Sequence, residues 1–290
     1  MMNKGYILYN PKAGAGLEET DFSALSFVMD AKLTPVDITG IQDYAAFFAK
    51  LEADEPVILA GGDGTLNRFI NATDGMDIPC QLFYLPAGSG NDFAGDVGHG
   101  SAGRPFPLKQ YLKDLPAVEV KGQQYRFLNG VGYGIDGYCC EVGDEMRKIP
   151  GKKVNYTAIA IRGLLLDYIP TSAVVTVDGV RHEYQKVWLA PTMLGSRYGG
   201  GMIPTPAQRR DDPEGKLSVM VFHGSGKLKT LAVFPSIFKG EHIKHTECVE
   251  VLTGHEITVE FSAPRPLQVD GETVLNVRSY TARSRVLAKV

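Results

Sequence analysis

The chain opens with a short apolar run, GYILYN at residues 5–10, that stops at Asn10-Pro11. A run of that length bounded by turn residues predicts a buried β-strand. The pattern recurs at residues 33–38, 57–60 and 81–85. Between these runs the spacing changes. Residues 17–30 have helical potential, and residues 41–52 place Ala45, Phe47, Phe48 and Leu51 on an amphipathic helical face. Residues 66–72 continue as a helix directly after a cluster of glycines. Strands alternating with helices predict a mostly parallel α/β sheet.

Beyond about residue 115 the texture differs. SAVVTVDG, YQKVWLAPTM, KLSVMVF, EVLTG and EITVEFS are short, β-branched and bounded by turn residues. They predict a mostly antiparallel β domain, interrupted by one helix at residues 154–166. The expected organisation is an α/β domain over residues 1–115 and a β-rich domain over 116–280. A length of 290 residues suits two domains. The pattern alone does not assign residues 279–290 to either.

Composition narrows the class. Hydrophobic residues make up 44%, charged residues 22%, and the formal net charge is -3, with no dense Lys/Arg tract. No nucleic-acid partner is expected. MMNKGYILYNPKAG does not read as a signal peptide, and no window approaches the ~18 apolar residues of a membrane span. The cysteines, Cys80, Cys139, Cys140 and Cys248, form no metal-type C-x-x-C pair. A cytoplasmic protein with reduced thiols is expected, whose membrane role, if any, comes from its surface. The sequence leaves open a homodimer.

The chemistry gathers in three glycine-rich loops, each following a predicted strand. They are Asn10-Pro11-Lys12-Ala13-Gly14-Ala15-Gly16, Gly61-Gly62-Asp63-Gly64-Thr65 and Pro86-Ala87-Gly88-Ser89-Gly90-Asn91-Asp92. In an open α/β sheet such loops share the carboxyl edge, where ligands bind. Glycine lets a backbone approach a ligand closely and turn its N–H groups toward anionic oxygens. Thr65 and Ser89 add hydroxyl donors, and the helix after Gly64 adds its positive end. One such loop would be only a tight turn; three on one edge predict a polyphosphate site. A carboxylate repels phosphate, so Asp63 and Asp92 serve to organise a magnesium ion, to cap a helix, or both. The P-loop pattern G-x-x-x-x-G-K-[ST] and the protein-kinase motif set are absent, and no dinucleotide fingerprint G-x-G-x-x-G is expected.

The ordered motifs resemble the diacylglycerol kinase catalytic-domain family, which includes bacterial soluble lipid kinases and sphingosine kinases. They are NPKAG, GGDGTLN at 61–67, PAGSGNDFA at 86–94, NGVGYGIDG at 129–137, YGGGMIPTPAQ at 198–208, Gly240-Glu241-His242 and VDGE at 269–272. They span nearly the whole chain. The resemblance implies a nucleotide-binding α/β domain and a mostly β domain with the active site between them, and final residues from about 281 to 290 that return to the first domain. It implies that ATP is contacted by Asn10, Thr39, Gly61, Gly62, Asp63, Gly64, Thr65, Leu66, Asn67, Gly88, Ser89 and Asn91. Asp63 would serve the phosphates and a catalytic Mg2+, and Glu272 would be the general base. Asp92 and Asp136 would support that network. The residues of VDGE alone read as a hairpin turn, because Asp-Gly is a strong turn signal.

The family also implies a structural Mg2+ in a D-D-G-x-L loop. Here the loop is Asp211-Asp212-Pro213-Glu214-Gly215-Lys216-Leu217, with Glu214 where the family has aspartate. The ligands would be Glu214 and the carbonyls of Asp211 and Lys216; a surface turn with a salt bridge is the competing reading. Arg147, Lys148, Lys152 and Lys153 form a basic cluster that reads first as a solvated face and second as a contact for anionic headgroups. His242 reads as structural at a turn. The expected activity is an ATP- and Mg2+-dependent lipid kinase, peripheral to the inner face of the membrane, with diacylglycerol the first acceptor. The alternatives are a kinase of a soluble acceptor such as NAD, and a non-catalytic lipid- or nucleotide-binding regulator. Against the first stand the missing G-[ST]-[TA]-A-Y segment and Asn91-Asp92 in place of Asn-Glu. Against the second stand Asp63 and Glu272 together.

Overall fold

A computed structural model of the chain describes residues 3–11, 19–88, 90–100, 103–149 and 154–284. The chain divides into two compact units, one ending at Lys113 and one beginning at Asp114. The first contains β1 (Asn3–Tyr9), α1 (Glu19–Val28), β2 (Ala31–Asp37), α2 (Tyr44–Phe48), β3 (Pro56–Gly61), α3 (Asp63–Ala72), β4 (Gln81–Pro86), α4 (Asp92–Asp96) and β5 (Phe106–Pro107). Its sheet has the order β2-β1-β3-β4-β5. β1 to β4 run parallel and β5 antiparallel. β3 is buried along its whole length, as expected for a central parallel strand. The strand order reverses direction between β1 and β3, and all four parallel strands end on one edge.

The helix expected over residues 41–52 is shorter, Tyr44–Phe48. Asp43 caps its start by accepting from the Ala46 amide at 2.9 Å. Tyr44 and Phe48 then pack edge-on against Phe69 of α3, which buries the aromatic face within little more than one turn.

The second unit contains β6 (Ala117–Val120), β7 (Gln123–Arg126), β8 (Gly130–Tyr133), α5 (Ile135–Arg147), α6 (Tyr156–Arg162), β9 (Thr171–Val177), β10 (Val180–Val187), β11 (Thr192–Met193), β12 (Leu217–Phe222), α7 (Lys227–Val233), β13 (Val249–Gly254), β14 (Glu256–Val269) and β15 (Glu272–Arg283). α6 continues as a π-helical turn, Gly163–Asp167. The ten-stranded sheet has the order β13-β12-β11-β8-β14-β15-β6-β7, with β9 and β10 branching from β14. β14 is the hub: it pairs with β15 on one side, and with β9 and then β8 on the other. Register shifts near Arg265 let one strand serve both partners.

α5 is absent from the sequence reading, which has one helix in this region. The glycines around it suggest a loop, yet they serve close packing. A Cβ on Gly137 would lie 2.0 Å from the Pro266 carbonyl oxygen, and one on Gly132 would lie 1.6 Å from an Asp136 oxygen. Thr281 to Arg283, expected to begin a return to the first domain, pair with Glu119, Val118 and Ala117 of β6. Residues 285–290 lie outside the described residues.

Candidate active site

The first-unit candidates line the carboxyl edge of the parallel sheet. Asn10 follows β1, while residues 12–16 of that loop lie outside the described residues. Beyond β2, Asp37 accepts from both the amide and the hydroxyl of Thr39, at 2.8 and 2.7 Å. That turn holds Thr39 exposed at the edge.

The second and third loops are built against each other. A Cβ on Gly88 would lie 2.4 Å from the Gly62 Cα, so side chains at either position would push the two loops apart. Gly61 is occupied from within: its Cα lies under the buried Thr65 side chain. Asn91, in the left-handed conformation at φ 52°, closes the third loop by accepting from the Gly88 amide and donating to the Gly88 carbonyl. Ser89 lies outside the described residues. Asp63 bridges the loops: its two carboxylate oxygens accept from the Asp92 and Phe93 amides, each at 3.0 Å. The aspartate therefore caps α4, a helix that starts 29 residues after it, and its own helix α3 opens on Gly62 with no side-chain cap. Tyr84 donates to the Gly61 carbonyl from beneath, and burial followed by the Asp63 charge pushes its phenol well up.

Two expected nucleotide contacts belong partly to the core. The Leu66 side chain is fully buried and its amide bonds to the Gly62 carbonyl. Asn67 is buried, and Asn71 donates to its carbonyl and side-chain oxygens. Gly62, Asp63 and Gly64 remain at the mouth of the edge, where the positive end of α3 and flexible backbone suit phosphate oxygens. These residues fit ATP. Mg2+ is commonly held by one or two carboxylates plus phosphates, which suits Asp63 as its protein ligand.

In the second unit Asp136 starts α5 and is buried. One of its oxygens accepts from the Gly137 amide at 2.9 Å, the other from the Tyr198 hydroxyl at 3.1 Å, and Gln268 also hydrogen-bonds to it. Burial outweighs those bonds and raises its pKa to about 6. Residues 132–137 spell G-x-G-x-x-G between β8 and α5. The sheet there is antiparallel, and the glycines face Asp136 and the Pro266 carbonyl, so the setting is not that of a dinucleotide fingerprint.

VDGE forms the hairpin between β14 and β15, with Val269 opposite Glu272 and positive φ at Asp270 and Gly271. Asp270 is buried, and its carboxylate accepts from the amides of Leu128, Asn129 and Gly130 at 2.5, 2.8 and 2.9 Å. Gln268 accepts from the Gly271 amide at 2.6 Å. Arg210 donates to the Leu128 carbonyl and, at 3.2 Å, to Asn129 Oδ1. Glu272 is thus carried, half-buried, on a turn fixed from both sides. Sequence reasoning missed Asp270, Tyr198, Gln268 and Arg210. Asp270 gave only a turn signal, Tyr198 only its place at the head of YGGGMIPTPAQ, and Gln268 and Arg210 gave none.

In the loop expected to hold a structural Mg2+, the candidate ligands have protein partners. Glu214 ion-pairs with Lys216, and Asp211 pairs with Arg209 through two bonds. The Lys216 carbonyl accepts from Gln208 Nε2 at 2.9 Å, and the Leu194 and Arg209 carbonyls converge on the same nitrogen. The turn as described carries these two ion pairs. A cavity of about 680 Å³ beside it, lined by Gln208, Asp212 and Glu250 among others, contains neither Asp136 nor Glu272. His242 is fully buried at its turn, bonded to the Pro204 carbonyl, and burial lowers its pKa. Arg147 and Lys148 pair with Asp144 and Glu145, and Lys152 and Lys153 lie outside the described residues.

The glycine loops and the carboxylate hairpin sit on separate sheets, one in each unit. Residues 4–116 match the diacylglycerol kinase catalytic domain, and residues 129–285 match the YegS C-terminal NAD kinase beta sandwich-like domain. The chain belongs to this lipid kinase family. It is 26% identical over 269 residues to a diacylglycerol kinase of Mycobacterium tuberculosis, covering 89% of this chain and 84% of that one. It is 24% identical over 290 residues to a diacylglycerol kinase of Bacillus subtilis, covering 93% and 90%. A crystal structure described as a diacylglycerol kinase from Bacillus anthracis superposes with a TM-score of 0.61 at 20% identity, covering 97% of this chain and 94% of that one. Among the described residues no helix is long and apolar enough to cross a membrane.

Proposed function

We propose that the protein transfers the γ-phosphoryl group of ATP to a lipid hydroxyl, converting diacylglycerol to phosphatidic acid at the cytoplasmic face of a membrane. The observation that carries this reading is the contact of Gly62 with Gly88 beside the uncapped start of α3, locked by Asp63. Such an edge offers amides and a positive helix end to phosphates without side chains in the way. The relatives described as diacylglycerol kinases supply the acceptor class.

In this reading Gly62, Gly64 and Thr39 hold the nucleotide, and Asp63 orients the third loop and would be the residue that holds Mg2+. When bound, Mg2+ would neutralise phosphate charge. Glu272 takes the proton of the acceptor hydroxyl as its oxygen attacks the γ-phosphorus, and ADP departs. Asp270 and Gln268 keep the Glu272 turn in place, and a well-placed base contributes through position.

The test is transfer of label from ATP in the presence of magnesium. Diacylglycerol, sphingosine, monoacylglycerol and polyprenol are offered in mixed micelles, and NAD in solution. Label is expected in diacylglycerol, with Glu272→Gln slower by roughly 10²–10⁴-fold and ATP affinity kept. Label in NAD alone would overturn the lipid reading. ATP binding without label in any acceptor would favour a non-catalytic binder.

A further inference from the structure

The helical segment formed by α6 and its π-helical turn is apolar on two faces, and only one of them is packed. Ile159, Ala160, Gly163 and Leu164 are buried in the core shared with α5 and the sheet. On the other side Ile161 is 44% exposed, Leu165 37% and Leu166 69%; Ile169, just beyond, is 69% exposed. An amphipathic surface helix would carry polar residues there. The π turn sharpens the effect. The Tyr168 amide bonds to the Gly163 carbonyl at 2.8 Å, and Gly163 lies against the Tyr138 ring. This wider turn leaves Leu165 and Leu166 both facing outward. Leu228, at the start of α7, is 81% exposed. Its neighbour Lys227 reaches the Leu165 carbonyl at 3.0 Å, which brings the two segments into one patch.

Cations rim this patch. Lys227 is held on the Leu165 carbonyl, and Arg265 on the Ile169 carbonyl at 2.9 Å and over the Tyr168 ring. Arg162 pairs with Asp167. Exposed aliphatic side chains flanked by Lys227 and Arg265 complement a bilayer interface with anionic headgroups. The patch is also one helix away from the proposed base. Tyr138 of α5 donates to Asp167, and Asp144 of α5 accepts from the hydroxyl of Thr273, the residue after Glu272.

We infer that Ile161, Leu165, Leu166, Ile169 and Leu228, with Lys227 and Arg265, form a docking face that seats the second unit on an anionic lipid surface. The inference deepens the lipid-kinase reading and rests on it for why a membrane is the partner. Its test is separate. Flotation is measured with phosphatidylcholine vesicles, with and without phosphatidylglycerol, for the wild type, Leu166→Asp/Ile169→Asp and Lys227→Gln. Activity is measured in parallel on a short-chain diacylglycerol dispersed as monomers.

The wild type is expected to float with the anionic vesicles and less with the neutral ones. Leu166→Asp/Ile169→Asp should lose about tenfold or more of its partitioning, as expected when buried hydrocarbon is replaced by charge. Lys227→Gln should weaken binding to the anionic vesicles only. Both variants should keep wild-type turnover on the dispersed acceptor. Equal flotation of the double variant and the wild type would overturn the docking face, as would a wild type that ignores anionic vesicles. A wild-type dimer that becomes monomeric in the double variant would overturn it too, giving the patch to a second copy. Absence of turnover on dispersed lipid strikes the kinase reading instead, and flotation still decides the patch.

Discussion

In the first unit Asp63 carries two main-chain amides of a loop 29 residues further on; in the second, Asp270 carries three amides about 140 residues back. Both aspartates fix one piece of irregular backbone to another. The surroundings differ. Around Asp63 the space is made by glycines, and Gly62 and Gly88 nearly touch. Around Asp270 it is closed by side chains, with Gln268 and Arg210 completing the bonding. A loop edge left open by glycine can take a ligand in the gap. A turn filled by side chains holds a neighbour, here Glu272, in place.

Asp63 has both a mechanical and a chemical task, so its loss carries the largest expected effect. Asp63→Ala removes the cap of α4 and the carboxylate proposed to hold Mg2+. Turnover is expected to fall by roughly 10²–10³-fold or more. Loss of the cap should destabilise the first unit by about 1–2 kcal/mol. Asp63→Asn separates the two tasks, since its side-chain oxygen still accepts an amide bond. If Asp63→Asn keeps near-normal turnover, the residue is a loop clamp and its charge plays no part in transfer.

Asp270→Ala tests the filled turn. It strands buried amides of Leu128, Asn129 and Gly130, and each unsatisfied buried group is costly. The expected loss is on the order of 3–5 kcal/mol. Trp188, the chain's single tryptophan, is buried in the second unit, so its fluorescence in a urea titration reports this loss directly. A midpoint unchanged from wild type would mean that the three bonds are not what holds the turn.

The same contrast explains what could be read before folding. The glycine edge was legible because its parts are local. Gly61 to Thr65 and Gly88 to Asn91 each follow a strand whose apolar run is plain, and glycine there has few other uses. Leu66 and Asn67 were placed with the ligand contacts because the motif is contiguous, while a helix turns one side of it into the core. The second unit was legible as strands but not as a site. Gly132, Gly134 and Gly137 resemble a loop until α5 is seen lying against β14, with Gly137 under the Pro266 carbonyl. Tyr198 and Gln268 reach Asp136 from distant segments, and no spacing in the sequence announces such partners.

Asp136 offers a smaller test within the second unit. Its folded pKa of about 6 lies above the usual carboxylate range because it is buried. An unfolded aspartate releases its proton near ~3.9, so between the two values the folded protein binds more protons. Stability contributed by this group is therefore present at low pH, falls as pH rises through about 6, and stays lower above it. Asp136→Asn removes the slope. The variant's stability relative to wild type should rise between pH 4.5 and 7 by about 2 kcal/mol, read by Trp188 fluorescence in urea. A flat difference would mean that the bonds from Gly137, Tyr198 and Gln268 fully offset burial.

The smallest effect is expected where the filled-turn principle meets a proposed metal. In the 211–217 loop, Glu214 is drawn to Lys216, while Gln208 gathers the carbonyls of Leu194, Arg209 and Lys216 on its amide nitrogen. A side-chain amide there does what a cation would do, since it presents positive charge to converging carbonyl oxygens. Exposed ion pairs add little to stability. Glu214→Gln should therefore leave the Trp188-reported midpoint unchanged within error, and EDTA should not shift it in either protein. Gln208→Ala should lower the midpoint, because it strands those carbonyls. If EDTA destabilises the wild type and Glu214→Gln abolishes that sensitivity, Glu214 is a metal ligand after all and the Lys216 pair gives way when the ion binds.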